Sequence, residues 1–328
     1  MQSISIIGAG AWGTALAMAA RRAGRDVVVW AFEPEVAEAI NQTHQNPAYL
    51  PGVTLDGAIA ATNDLSEAAD ADAVLLAVPA QHLRAVCAEL AASWKPGIAA
   101  VICSKGIEMV SGALMSEAAA DTLPGVPLAI LSGPTFAAEV AGDMPTALSL
   151  ACADDNLGAA LAEALGGPRF RIYRCDDLIG TQIGGAVKNV LAIACGIVEG
   201  RGLGDNARAA LITRGLAEIV RLSVAKGARA ETLRGLSGLG DLTLTCNAMQ
   251  SRNFSLGVAL GQGQPLEEIL AARNSVAEGV YTAASLTGLA RSLDVEMPIS
   301  LAVDGILNHF ADIDATIAGL LSRPLKAE

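Results

Sequence analysis

The pattern of apolar and polar positions changes character near the middle of the chain. In the first half, short apolar runs at residues 3–7, 26–30, 73–78 and 98–103 are rich in β-branched side chains, with Val27, Val28 and Val29 in a row. Between them, residues 12–23, 34–43 and 81–92 place apolar side chains at helical intervals. Unbroken apolar strands joined by helices predict a parallel sheet covered on both faces. Residues 127–131, 147–151 and 170–173 add strands, with helices near 135–140 and 156–165. After Asp176 strand signals stop, and residues 179–199, 206–226, 251–261, 266–272, 277–293 and 299–308 all carry helical periodicity. The expected organisation is an α/β domain over residues 1–180 and an all-helical domain over 181–328, and a length of 328 residues suits two domains.

Composition narrows the function classes. Hydrophobic residues make up 52%, charged residues 17% and aromatics 3%, so the chain can build large cores, filled mainly by Ala, Val, Leu and Ile. The net charge of −12 repels phosphate backbones and anionic lipid, so nucleic acid and membrane surfaces are poor partners. A small anionic substrate would need a local basic pocket. The six cysteines form no CxxC pair and sit mostly in apolar runs, as reduced thiols of a cytoplasmic protein would. His44, His82 and His309 are far apart, so no metal site is expected. The N-terminus has no signal-peptide pattern, and Lys188 interrupts the long apolar stretch after Ile183, so no membrane insertion is expected.

Four segments carry chemistry. GAGAWG, residues 8–13, lies between the first strand and its helix. Gly8 permits the tight turn, Gly10 admits a pyrophosphate, and Gly13 lets helix and strand pack closely, while the helix N-terminus offers N–H groups to phosphate. The second signal is lysine scarcity: five lysines stand against 17 arginines. Lys105 follows a strand at the carboxyl edge where such sheets bind ligands, and Lys188 lies in the apolar run IGGAVKNVLAIACG. A buried lysine can transfer a proton, which arginine cannot; a lysine snorkelling from a helix surface is the alternative. The third segment, LSGPTFAAEV (131–140), ends a strand and opens a helix near Thr135. In the fourth, residues 235–257, Asp241 follows a glycine-rich stretch and Ser251-Arg252-Asn253 opens a helix, an arrangement suited to holding an anion.

Together these segments resemble the bacterial NAD(P)-dependent glycerol-3-phosphate dehydrogenases. The resemblance runs through GAGAWGTALA, NPAYLP (46–51), AVP (77–79), SKGIE (104–108), LSGPTFAAEV, IGGAVKNVLAIACGI, GDNARAALITRGLAEI (204–219), GLGDLTLTC (238–246), SRN and VAEGVYT (276–282). It implies a Rossmann-like doubly wound sheet followed by a helical domain, often in a homodimer. It implies that dihydroxyacetone phosphate and sn-glycerol 3-phosphate are interconverted by hydride transfer with NAD or NADP, supplying phospholipid synthesis. By matching position, Lys188 would be the proton donor and acceptor, and Lys105 would touch both cofactor and substrate. Gly133, Thr135, Asp241, Ser251, Arg252 and Asn253 match substrate positions. Ala11, Trp12, Tyr49, Ala137, Arg252, Val276 and Glu278 match cofactor positions.

One departure bears on the cofactor. After the second strand many members carry a basic residue where this chain reads AFEPE, with Phe32 and Glu33 at the positions that otherwise favour a 2′-phosphate. An acid about 20 residues beyond the glycine motif suits the free ribose hydroxyls of NAD. Arg25 or a sequence-distant residue could still reach a 2′-phosphate, and Glu33 could instead be an ordinary helix-start acid facing solvent. A related β-hydroxyacid or 6-phosphogluconate-type dehydrogenase would share the glycine motif and a lysine, but has no reason to keep the SRN cluster after GLGDL. A nucleotide-sensing regulator would need no buried lysine beside an anion site.

Overall fold

A computed structural model describes residues 1–272 and 278–324. Their contacts divide the chain into two compact units, one of residues 1–105 and 113–182, the other of 106–112 and 183–328. The first unit contains ten strands: β1 (Ser3–Ile7), β2 (Asp26–Trp30), β3 (Gln45–Asn46), β4 (Leu50–Thr54), β5 (Ile59–Thr62), β6 (Ala73–Leu76), β7 (Ala99–Ile102), β8 (Leu128–Ser132), β9 (Thr146–Cys152) and β10 (Phe170–Cys175). Eight of them form one sheet in the order β10-β9-β8-β7-β6-β1-β2-β5, and β3 and β4 pair as a separate hairpin.

The chain leaves β1 for β2 on one side and later returns to β6 on the other, so the strand order reverses at β1. Such a reversal opens a crevice at the carboxyl ends of the strands, the usual ligand position in this architecture. Alternate side chains along each strand enter cores on opposite faces. Ile4 and Ile6 join the first helix on one face, while Ile7, Val74 and Leu76 fill the other. This two-sided burial is why the strands read as continuous apolar runs. Within the eight-stranded sheet the pairing is parallel except between β8 and β9, which run antiparallel. The short helix between them, Ala137–Ala141, leaves the chain to return without a full crossover.

Among the described residues the second unit is helical. Its central element is Leu178–Gly200, every residue of which from Thr181 to Val198 is buried. By length and composition this helix could cross a membrane, yet 89% of its apolar window is buried within the protein. Gly196 and Gly200 face Gly257 and Gly261 of the helix Arg252–Gly261. A Cβ at Gly196 would lie 2.1 Å from the Phe254 carbonyl oxygen, and one at Gly200 would lie 2.3 Å from that of Val258. Only glycine allows backbones to approach this closely, so two G-x-x-x-G spacings clamp the pair of helices.

Candidate active site

In the first unit the GAGAWG turn has the geometry its spacing predicts. Gly8 has φ +119°, and an added Cβ would lie 2.9 Å from the Ala77 carbonyl. At Gly13 a Cβ would come within 1.8 Å of the Gly8 oxygen. At Gly10 a Cβ would meet nothing within 4 Å, so the backbone is open there. The helix Ala11–Arg22 that follows has neither a side-chain cap nor an acid in its first turn. Its free N–H groups and positive dipole end therefore suit a pyrophosphate. Trp12 is half-buried, and its indole N–H is buried without a protein acceptor, leaving a donor beside the same turn. These residues fit a dinucleotide.

Phe32 is 77% exposed beyond β2 and packs edge-on against Trp30. Glu33 is half-buried and accepts a 2.7 Å hydrogen bond from the Tyr49 hydroxyl. It is thus not a helix-start acid turned to solvent. The Glu33 carboxylate beside it, with some burial, raises the Tyr49 pKa and keeps its hydroxyl a donor. Arg25 is committed elsewhere, donating to the Ala164 and Met1 carbonyls.

At the carboxyl ends of β7 and β8, Lys105 Nζ donates to the Gly133 carbonyl at 3.2 Å, and Thr135 Oγ1 donates to the same oxygen at 3.3 Å. Gly133 has φ +154°, and a Cβ there would press on the Leu148 backbone at 3.0 Å. The following helix begins at Ala137, just past Thr135, whose hydroxyl turns back to Gly133. Ala137 packs partly buried against the core face that also receives Ala11, Trp12 and Tyr49.

In the second unit Lys188 and Asp241 form a buried ion pair, at 6% and 0% exposure. The local fold explains their meeting. Gly184, one turn before Lys188, lets the loop approach so closely that a Cβ there would lie 2.4 Å from the Ser237 carbonyl. The chain then makes a π-helical turn over Leu236–Gly240 and opens the helix Asp241–Thr245, which puts the carboxylate on the lysine. Thr245, unmarked in the sequence reading, donates to the Asp241 carbonyl at 2.6 Å and lies 3.5 Å from its Oδ1. Breaking a buried pair of this kind costs about 3–5 kcal/mol. Lys188 is therefore not a snorkelling surface lysine. Behind the pair lie Cys246 and Cys195, and burial followed by the neighbouring thiol holds the Cys246 pKa well up, keeping it protonated.

Ser251 caps the helix Arg252–Gly261, its hydroxyl oxygen accepting the Phe254 N–H at 3.2 Å, which leaves the O–H proton for another acceptor. Arg252 is the first residue of this helix and is exposed. Asn253 is buried, and its carboxamide oxygen accepts the Gly279 N–H at 3.1 Å. That bond ties the helix Glu278–Ser292 to the same place and leaves the carboxamide nitrogen as the group that can donate. Glu278 opens that helix, half-buried. Val276 lies outside the described residues.

Models of the NAD-dependent glycerol-3-phosphate dehydrogenase N-terminus and C-terminus match residues 3–158 and 177–318. A glycerol-3-phosphate dehydrogenase (NAD(P)+) of Rhodospirillum rubrum is 60% identical over 326 residues, covering 99% of this chain and 93% of its own. A protein of the same name from Caulobacter vibrioides is 57% identical over 327 residues, covering 100% and 99%. The crystal structure of glycerol-3-phosphate dehydrogenase from Coxiella burnetii superposes with a TM-score of 0.95 at 40% identity, covering 98% of this chain and 99% of that one.

Proposed function

The chain belongs to the NAD-dependent glycerol-3-phosphate dehydrogenase family, and from that premise we propose how its side chains carry the reaction. The enzyme interconverts dihydroxyacetone phosphate and sn-glycerol 3-phosphate with NAD(P)H, a step that supplies glycerol 3-phosphate for phospholipid synthesis. When bound, the nicotinamide cofactor supplies the hydride for the carbonyl carbon. The chain's own residues bind, orient and protonate.

Gly8, Gly10, Ala11, Trp12 and Gly13 hold the pyrophosphate at the open helix start. Glu33 with Tyr49 takes the adenosine ribose, Phe32 flanks it, and Ala137, with Val276 and Glu278 by their sequence positions alone, is assigned to the cofactor. As the carbonyl carbon gains hydride, its oxygen gains charge and needs a proton. Lys188 gives that proton and later recovers one from solvent, while Asp241 orients the ammonium and keeps it charged until transfer. Lys105, placed by the Gly133 carbonyl beside Thr135, adds positive charge to the developing alkoxide. Arg252, the Ser251 O–H and the Asn253 carboxamide nitrogen hold the phosphate, whose binding energy aligns the carbonyl for attack.

The observation that carries this reading is the buried ion pair that Lys188, on a mainly apolar helix buried throughout its middle, makes with Asp241. The acid at Glu33, held by Tyr49, supports use of NADH at least as well as NADPH. Six free cysteines support a cytoplasmic location. The helix Ile313–Leu321, apolar with no buried residue in the single chain, supports a homodimer; sedimentation of the purified chain tests that. The activity itself is tested by following NADH absorbance with dihydroxyacetone phosphate and assaying the product. Stoichiometric formation of sn-glycerol 3-phosphate is expected. No oxidation above the rate without substrate would sink the reading.

A further inference from the structure

The segment NPAYLP holds a side chain with no part in the chemistry above. Asn46, on β3, is at 0% exposure. Its carboxamide nitrogen donates to the Ala9 carbonyl at 2.7 Å and to Thr14 Oγ1 at 2.9 Å. Its carboxamide oxygen accepts the Tyr49 N–H at 3.2 Å. Thr14 Oγ1 donates to the same Ala9 carbonyl at 3.2 Å. One buried side chain therefore grips both the glycine turn and the residue that holds Glu33.

Peptide geometry turns this grip into an aim. In a planar trans peptide the C=O and the N–H point in opposite directions. The Ala9 carbonyl is drawn inward by Asn46 and Thr14, so the Gly10 N–H of the same peptide unit is turned the other way, at a glycine with open surroundings. At its other end, Asn46 Oδ1 fixes the turn that carries Tyr49, whose hydroxyl reaches Glu33 Oε1 at 2.7 Å.

We propose that Asn46 is a positioning residue that locks the phosphate turn and the Glu33–Tyr49 pair into one register, so that the pyrophosphate and the adenosine ribose of the cofactor are recognised together. The proposal rests on the cofactor placement given above. A purely structural Asn46 would lower the melting temperature while leaving affinity for the cofactor unchanged in the folded protein.

The test is calorimetric titration of the full chain with NADH and, separately, with NADPH. Asn46→Asp keeps the size and the acceptor for Tyr49 but removes both donors and sets a carboxylate against the Ala9 carbonyl. Its Kd is expected to rise roughly tenfold or more for both cofactors, as loss of a buried hydrogen-bond donor implies. At saturating NADH the KM for dihydroxyacetone phosphate should stay within about twofold, since the hydrogen-bond partners of Asn46 are Ala9, Thr14 and Tyr49 and none of them is assigned to the substrate. A folded Asn46→Asp with wild-type Kd for both cofactors overturns the proposal. If that variant does not fold, Thr14→Val decides. It removes one of the two donors on the Ala9 carbonyl and should raise both Kd values about threefold or more, and unchanged values overturn the proposal. Tyr49→Phe should lower the preference for NADH over NADPH. If it does not, the ribose reading of Glu33 fails, while the common loss of both cofactors in Asn46→Asp still upholds the grip on the phosphate turn.

Discussion

Replacing Gly257 by alanine tests whether glycine clamping holds the phosphate-binding helix in place. A Cβ at Gly257 would lie 2.1 Å from the Ile193 carbonyl oxygen and 2.9 Å from the Gly196 Cα. Carbon and oxygen normally approach to about 3.3 Å, so the helix Arg252–Gly261 has to move by roughly 1 Å. Both close contacts are backbone, and no rotamer change relieves them. Overpacking of this size costs about 1–3 kcal/mol. Ser251, Arg252 and Asn253 at the helix start move with it, and a 1 Å misplacement costs about 10²-fold in rate. Denaturant melts give the first figure, and kcat/KM for dihydroxyacetone phosphate gives the second. Gly288→Ala is the control: that glycine is exposed on a helix with no atom within 4 Å of an added Cβ, so it should gain up to about 1 kcal/mol. A Gly257→Ala protein with wild-type stability and wild-type kcat/KM would refute the clamp.

Arg252→Ala should cost about 2 kcal/mol of transition-state binding, the low end for a charge pair because the side chain is exposed. Unphosphorylated dihydroxyacetone should lose far less, and equal losses would remove Arg252 from phosphate recognition. The ratio of kcat/KM for NADH over NADPH should be at least one in the wild type and fall in Glu33→Arg; a strong NADPH preference unchanged by that substitution would show that Glu33 does not read the ribose. Glu218, at 1% exposure, accepts bonds from the Ile299 N–H, the Ser300 N–H and the Ser300 hydroxyl at the start of the helix Pro298–His309. Glu218→Ala should cost about 1–3 kcal/mol in chemical melts. Burial raises the Glu218 pKa despite those bonds. Its titration therefore adds stability below the ordinary carboxylate range and loses it as pH rises through the raised value, so the gap between wild type and variant should narrow as pH climbs above the ordinary carboxylate range.

What the sequence made legible is what depends on neighbours along the chain. The GAGAWG turn is readable because each glycine answers a local steric demand, and Lys188 stands out as the one basic residue in a mainly apolar stretch. Direction of pairing is not local: the alternation in β9 is the same whether it runs with β8 or against it, so the antiparallel step went unforeseen. The strand β5 lacked signal because Ala60 and Ala61 carry no β-branch, and the turn Leu236–Gly240 read as a glycine-rich loop while folding as a π-turn. Contacts between distant residues were also hidden. The Tyr49 hydroxyl meets Glu33 across a helix and a hairpin. Asn253, legible as a ligand for an anion, gives its oxygen to Gly279. Asn46 was visible only as a letter in NPAYLP, because its meaning lies in Ala9 and Thr14.

The central claim is that Lys188 supplies the proton, and Lys188→Met tests it most directly. Methionine keeps the length and apolar fit but cannot titrate. It also leaves the Asp241 carboxylate buried without its partner, so Lys188→Met combined with Asp241→Asn is measured beside it as the folded control. Single-turnover reduction of dihydroxyacetone phosphate at saturating NADH should fall by ~10²–10⁴ in both proteins, with calorimetric binding of NADH retained. A Lys188→Met enzyme that binds NADH and keeps more than about a tenth of the wild-type rate, well above that range, would contradict the account.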